Sequence, residues 1–197
     1  MQKNKFPDVY LYPALFTLGI YLIYRLMDQA KIMWIFPLDY FNDFSAHMAM
    51  LFFLMDCGFH MPCSYWYGGI TTFQAYNPGW VFFTYPINLV FKNVQVSTFI
   101  SLILMLLSSF LAILSLSKNE KMSSLKASVF FLFLFANPIS IGNFIRLGRM
   151  SEVFAWMVFL FLALVIFWFR KNRLDKRFLI FIPIYTILMF SHPVVSI

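Results

Sequence analysis

Asp39, Asp43 and His47 stand four residues apart in the stretch "DYFNDFSAHMAMLFF". On a helix, positions i, i+4 and i+8 fall along one stripe. A carboxylate one turn before an imidazole can share a proton with it, orient a nucleophile or bind a cation jointly. Asp39 adds a second carboxylate one turn earlier, so Asp39 and Asp43 are candidate ligands for a divalent ion, Mg²⁺ or Mn²⁺, held together with a phosphate. The plainer alternative is the wet face of an interfacial helix with nothing bound. A second polar cluster, "IRLGRMSE", holds Arg146, Arg149 and Glu152. Arginine forks bind phosphate bidentately. Here the plainer readings are anchoring to lipid headgroups and an Arg149–Glu152 ion pair at i, i+3. His192, in "FSHPVVSI", falls near the same face.

These polar residues are few in an oily chain. Its 197 residues are 61% hydrophobic and include 27 Phe, with a mean hydropathy of +0.77. Soluble domains hold about 45–50% apolar residues, so the composition indicates an all-α, polytopic integral membrane protein. Each span needs roughly 20 apolar residues. About five are expected, near residues 9–24, 94–116, 127–145, 153–169 and 178–197, the third interrupted by "ANPISIGN". The run "NPGWVFFTYPINLVF" is short and contains Pro86, which favours an interfacial or re-entrant helix over a further span.

The formal charge of +7 marks loops and gives no reason to expect a nucleic-acid partner. "MQKNK", "KNEKMSSLK" and "RKNRLDKR" hold ten of the fifteen Lys and Arg residues. Four spans separate them, so all three fall on one side, the cytoplasmic side of a cell membrane. The long segment 25–93 and "IRLGRMSE" then face outward, with Asp28, Asp39, Asp43, Asp56 and Glu152.

Segment 25–93 is far longer than a connector needs, which predicts structure of its own. Its first part is expected to form an amphipathic helix at the membrane surface, with the Phe-Met-Leu face turned to lipid or core. "CGFHMPCSYWYGGITTFQAYNPGW" follows, rich in breakers and aromatics. Tyr65, Trp66, Tyr67, Tyr76 and Trp80 fit either sugar stacking or an interfacial aromatic belt. Cys57 and Cys63 are open to either a disulfide or two free thiols, because spacing alone fixes no geometry.

The layout of a short N-terminus, one span and a long outer loop opening with "NDFSAHMAMLFFLMDCGFHMP", then "YWYGG" and "YNPG", resembles the GT-C superfamily of membrane glycosyltransferases. Within it the chain is most similar to the integral membrane family labelled 6-pyruvoyl-tetrahydropterin synthase-related. "LGRMSE" resembles that family's outer Gly-Arg segment, and "FSHP" its later His. The resemblance implies a single membrane domain, the N-terminal portion of a longer protein. It also implies transfer of a sugar from a polyprenyl-phosphate donor at the outer membrane face. By the same resemblance Asp43 is the catalytic base or metal ligand, with His47 its companion. Arg149, with Arg146, then meets the lipid phosphate and His192 matches the later His, while residue type and position add Glu152, Trp66 and Tyr67 to the substrate site. The rival readings are a transporter or flippase for an anionic substrate, and a GT-C-like scaffold without activity.

Overall fold

Runs of Phe, Leu and Ile punctuated by Asn, Pro and Gly fold into helices throughout. The computed structural model describes residues 8–34, 43–59, 61–65, 69, 77–171 and 176–191. Among them are eight α-helices: α1 (Leu11–Trp34), α2 (Asp43–Cys57), α3 (Gly79–Phe91), α4 (Val94–Asn119), α5 (Ser124–Phe135), the short α6 (Pro138–Ser140), α7 (Met150–Lys171) and α8 (Phe181–Met189). A π-helical turn, Ile141–Arg146, follows α6, and short 3-10 turns precede α1 and α8.

Three of these helices are long and apolar enough to cross a membrane: Asp8–Met33, Val94–Asn119 and Met150–Arg170. Ser124–Phe135 with Pro138–Arg146, bent by 50°, makes a fourth when the pair is taken as one broken span. The expectation of five spans is therefore corrected to three or four among the described residues. Lys176–Ile180 and α8 are together too short, and residues 192–197 lie outside the described residues. α3, with 13 residues, extends roughly 20 Å against a hydrocarbon core of about 30 Å.

The first span also ends later than expected. Arg25, Asp28 and Lys31 do not stop α1. Arg25 lies 3.5 Å from Asp28 at i, i+3 and over the Tyr21 and Tyr24 rings, so its charge is accommodated along the helix itself.

The break in the fourth span follows from Asn137 and Pro138. Proline disfavours helical backbone before it and removes a donor. Asn137 repairs the ladder: its amide accepts from the Ile139 and Ser140 N–H groups and donates to the Phe133 and Leu134 carbonyls. In lipid such groups need partners within the protein.

α4 and α7 form the most extensive helix pair. Ser101, Ser109, Ala112 and Ala155 are all buried, and small residues allow close helix approach. Lys126 lies 3.2 Å from Asp8, and Arg170 2.9 Å from Glu120. These pairs gather the start of α1, the α4–α5 turn and the end of α7 at one end of the bundle. The opposite end holds the start of α7, the end of α1 and the π-helical turn, with α2 and α3 packed around the first turns of α4. Ser151 and Arg170 are separated by roughly 28 Å of helix, close to the hydrocarbon thickness.

Candidate functional site

α2 begins at Asp43, whose backbone N–H donates to the Leu147 carbonyl. The next residue in the receiving segment is Gly148, in the left-handed region at φ 73°. A side chain there would collide with the fully buried Phe44 ring. Gly148 therefore serves twice, turning the chain and letting α2 dock. The docking brings Asp43 to "GRMSE".

Arg149 stands between two carboxylates. Its Nε is 3.8 Å from Asp43 Oδ2 and its Nη1 is 3.6 Å from Glu152 Oε2. Both separations exceed a formed hydrogen bond, so the group is held by through-space attraction. The Asp43 side chain is 54% exposed, Arg149 47% and Glu152 20%. The three formal charges sum to one negative. Exposed pairs of this kind contribute about 0–1 kcal/mol to stability, so packing, not the ion pairs, holds α2 in place.

His47 is half-buried, unlike a residue on the wholly wet face of the plainer alternative. Its Nδ1 is 2.7 Å from the Asp43 backbone carbonyl. Its Nε2 is 3.0 Å from Ser151 Oγ and accepts from the Ser151 N–H at 3.4 Å. A carbonyl only accepts, so this pattern selects the tautomer with the proton on Nδ1 and the lone pair on Nε2. The imidazole thus also caps a first-turn N–H of α7. Trp80 packs edge-on against the ring at 5.2 Å and donates from Nε1 to Ser101 Oγ at 3.3 Å. Trp80 is fully buried, which removes it from the candidate sugar-stacking surface. α2 itself is apolar on most sides, with Phe44, Met48, Leu51 and Phe53 buried and Phe52 and Met55 exposed. Its charges lie only near its ends, at Asp43 and Asp56, which corrects the expectation of a helix with a polar face.

The far end of α2 is tied down. Cys57 and Cys63 form a disulfide with Cα atoms 5.4 Å apart, a spacing ordinary for such a bridge. Tyr65 hydrogen-bonds Asp56, and that bond and the nearby carboxylate charge push its phenol above the ordinary 10.0.

Of the candidate residues, Asp43, His47, Arg149 and Glu152 come together. Asp39, Trp66, Tyr67, Tyr76 and His192 lie outside the described residues. Arg149 pairs with Asp43 and Glu152, and Arg146 is not among those pairs. On a regular helix residues three apart share a face, but the π-turn ends at Arg146 and Gly148 reverses the chain. Arg146 lines a cleft of about 590 Å³ with Arg25, Asp28, Gln29 and Asn143. Ser151, Arg25 and Gln29 are additions. The i, i+3, i+4 spacing of Arg25, Asp28 and Gln29 is the signal that places them on one helical face, once the first span continues past Tyr24. Among the described residues no three His, Cys, Asp or Glu side chains converge as a metal site. Comparison with known protein families, with curated proteins and with solved structures found no match to this chain.

Proposed function

We propose that this chain is the membrane domain of a transferase that moves a sugar from a polyprenyl-phosphate donor to an acceptor at the outer membrane face, with its N-terminus in the cytoplasm. The observation that carries the reading is the Asp43 carboxylate, half exposed and 3.8 Å from Arg149, at the end of the bundle opposite the Lys- and Arg-rich turns. In the step, Asp43 takes the acceptor hydroxyl proton as the acceptor oxygen attacks the anomeric carbon. The bond from that carbon to the phosphate oxygen breaks, and the lipid phosphate leaves with the electron pair. Arg149 meets the charge that grows on it, an interaction stronger in the transition state than in the ground state. His47 is a positioning residue that locks α2 onto α7 through the Asp43 carbonyl and Ser151. Of the pair offered for a divalent ion, Asp43 is the described member, and its carboxylate faces a guanidinium. Asp39 lies outside the described residues, among which no three His, Cys, Asp or Glu side chains converge, and no step is routed through an ion. Trp66, Tyr67 and His192 remain proposed substrate contacts.

A transport reading draws on the 50° break, since interrupted helices line substrate paths in transporters. One experiment separates the two. The chain and its Asp43→Asn variant are reconstituted with radiolabelled polyprenyl-phosphate sugars and candidate acceptors. Asn keeps the shape at an exposed position, so stability changes by no more than about 0.5 kcal/mol. Transfer falls roughly a hundredfold or more, with donor binding retained. Full transfer by the variant removes Asp43 as the base. Donor translocation without transfer in either protein favours the transport reading.

A further inference from the structure

We infer that the cleft between the last turns of α1 and the π-helical turn is an oxyanion site for a phosphate group, lined by side chains other than Asp43 and Arg149 and adjoining their centre through Leu147 and Asn143. The cleft stands on its own geometry, whatever reaction Asp43 supports. Its volume of about 590 Å³ is in the range of small-ligand pockets. Gln29 lines it and is only 4% exposed, yet its Nε2 has no acceptor among the described residues. The Arg25 Nε is buried and unpaired in the same way. Buried polar groups are rarely left without a partner. Both orphans are donors, and their residues line the cleft together with Arg146, so the complementary ligand is an acceptor-only anion.

The charge supports the same class. Arg25 and Arg146 against Asp28 leave one positive charge, which a singly charged phosphate ester neutralises. Arg25 is already oriented, by Asp28 at 3.5 Å and by the Tyr21 and Tyr24 rings at 5.4 and 5.5 Å, so little ordering accompanies binding. Its position fits a headgroup. Arg25 lies roughly 26 Å along the helix from Asp8, near the far boundary of a hydrocarbon core of about 30 Å. Ile32 and Ile139 on the rim suit the apolar portion of an amphiphile. A lipid headgroup and a free phosphate share this chemistry.

The test uses the whole chain in phosphatidylcholine nanodiscs, in two arms. In one, inorganic phosphate is titrated against thermal unfolding. In the other, the discs contain phosphatidic acid, and native mass spectrometry counts the lipid that stays bound. Protection by inorganic phosphate identifies a soluble ligand, and retention of phosphatidic acid identifies a headgroup. Either result supports the site if Arg146→Gln and Gln29→Leu each weaken it at least about tenfold, as expected for hydrogen bonds to a charged group. Gln29→Leu removes a buried donor that has no partner among the described residues, and thermal unfolding without ligand checks that the variant keeps the parent's stability, so that a loss of binding is not a loss of fold. The inference is overturned if neither ligand binds, or if Gln29→Leu and Arg146→Gln bind like the parent chain.

Discussion

Arg146 and Arg149 are three residues apart and end in opposite electrostatic surroundings. Arg149 is enclosed by Asp43 and Glu152 in a group that sums to one negative charge. Arg146 lines a cleft with Arg25 and a single carboxylate, Asp28, that sums to one positive charge. The first group suits a base, whose proton acceptor must stay charged beside a cation. The second suits an anion at rest. The separation comes from the backbone: a π-turn shifts the register ahead of Arg146, and Gly148 turns the chain before Arg149. Residue type names the chemistry available, and the turn between two residues decides whether they act together.

The largest effect should come from breaking that turn. Gly148→Ala meets both a left-handed backbone and the Phe44 ring, so about 3 kcal/mol or more of stability should be lost. α2 should then leave Arg149. Gly142, on the cleft side, offers a contrast, because a methyl group there would meet nothing within 4 Å. Gly142→Ala should change stability by no more than about 1 kcal/mol and can raise it. Unfolding in detergent compares the pair. Equal stabilities would show that Gly148 does not hold the two regions in their relation.

A much smaller effect is expected at the other end of α2. The Tyr65 phenol is raised by Asp56, so the contact favours the neutral phenol. Its contribution is present below the ordinary pKa of 10.0 and is lost as pH rises through the raised value. Asp56→Asn should bring the titration midpoint down toward the ordinary value. Phenolate absorbance, taken as the difference from Tyr65→Phe, reads it. A midpoint that does not move would mean that Asp56 does not restrain this end of the helix carrying Asp43.

Much of this is legible in the sequence. Hydropathy locates the long helices, and "ANPISIGN" marks the break, because proline and a capping asparagine act locally. The meeting of Asp43 with Arg149 is legible only as two polar clusters on one side. The contact itself depends on Phe44 fitting against a glycine more than a hundred residues away. The cleft is hidden because a charge such as Arg25 ordinarily ends an apolar span, whereas here Asp28 and two tyrosine rings let it continue in the helix. Spacing puts His47 on a solvated stripe, since it cannot reveal Ser151 and Trp80, which half-bury the ring.

The division between the two regions is tested most directly by phosphate affinity in two matched variants, Arg146→Gln and Arg149→Gln, titrated by thermal protection in the same nanodiscs. Arg146→Gln should weaken phosphate binding at least about tenfold. Arg149→Gln should leave it within about twofold, because that guanidinium is already engaged by two carboxylates and its exposed pairs add little. Equal losses in the two variants, or a larger loss for Arg149→Gln, would contradict the division and place both arginines on one anion.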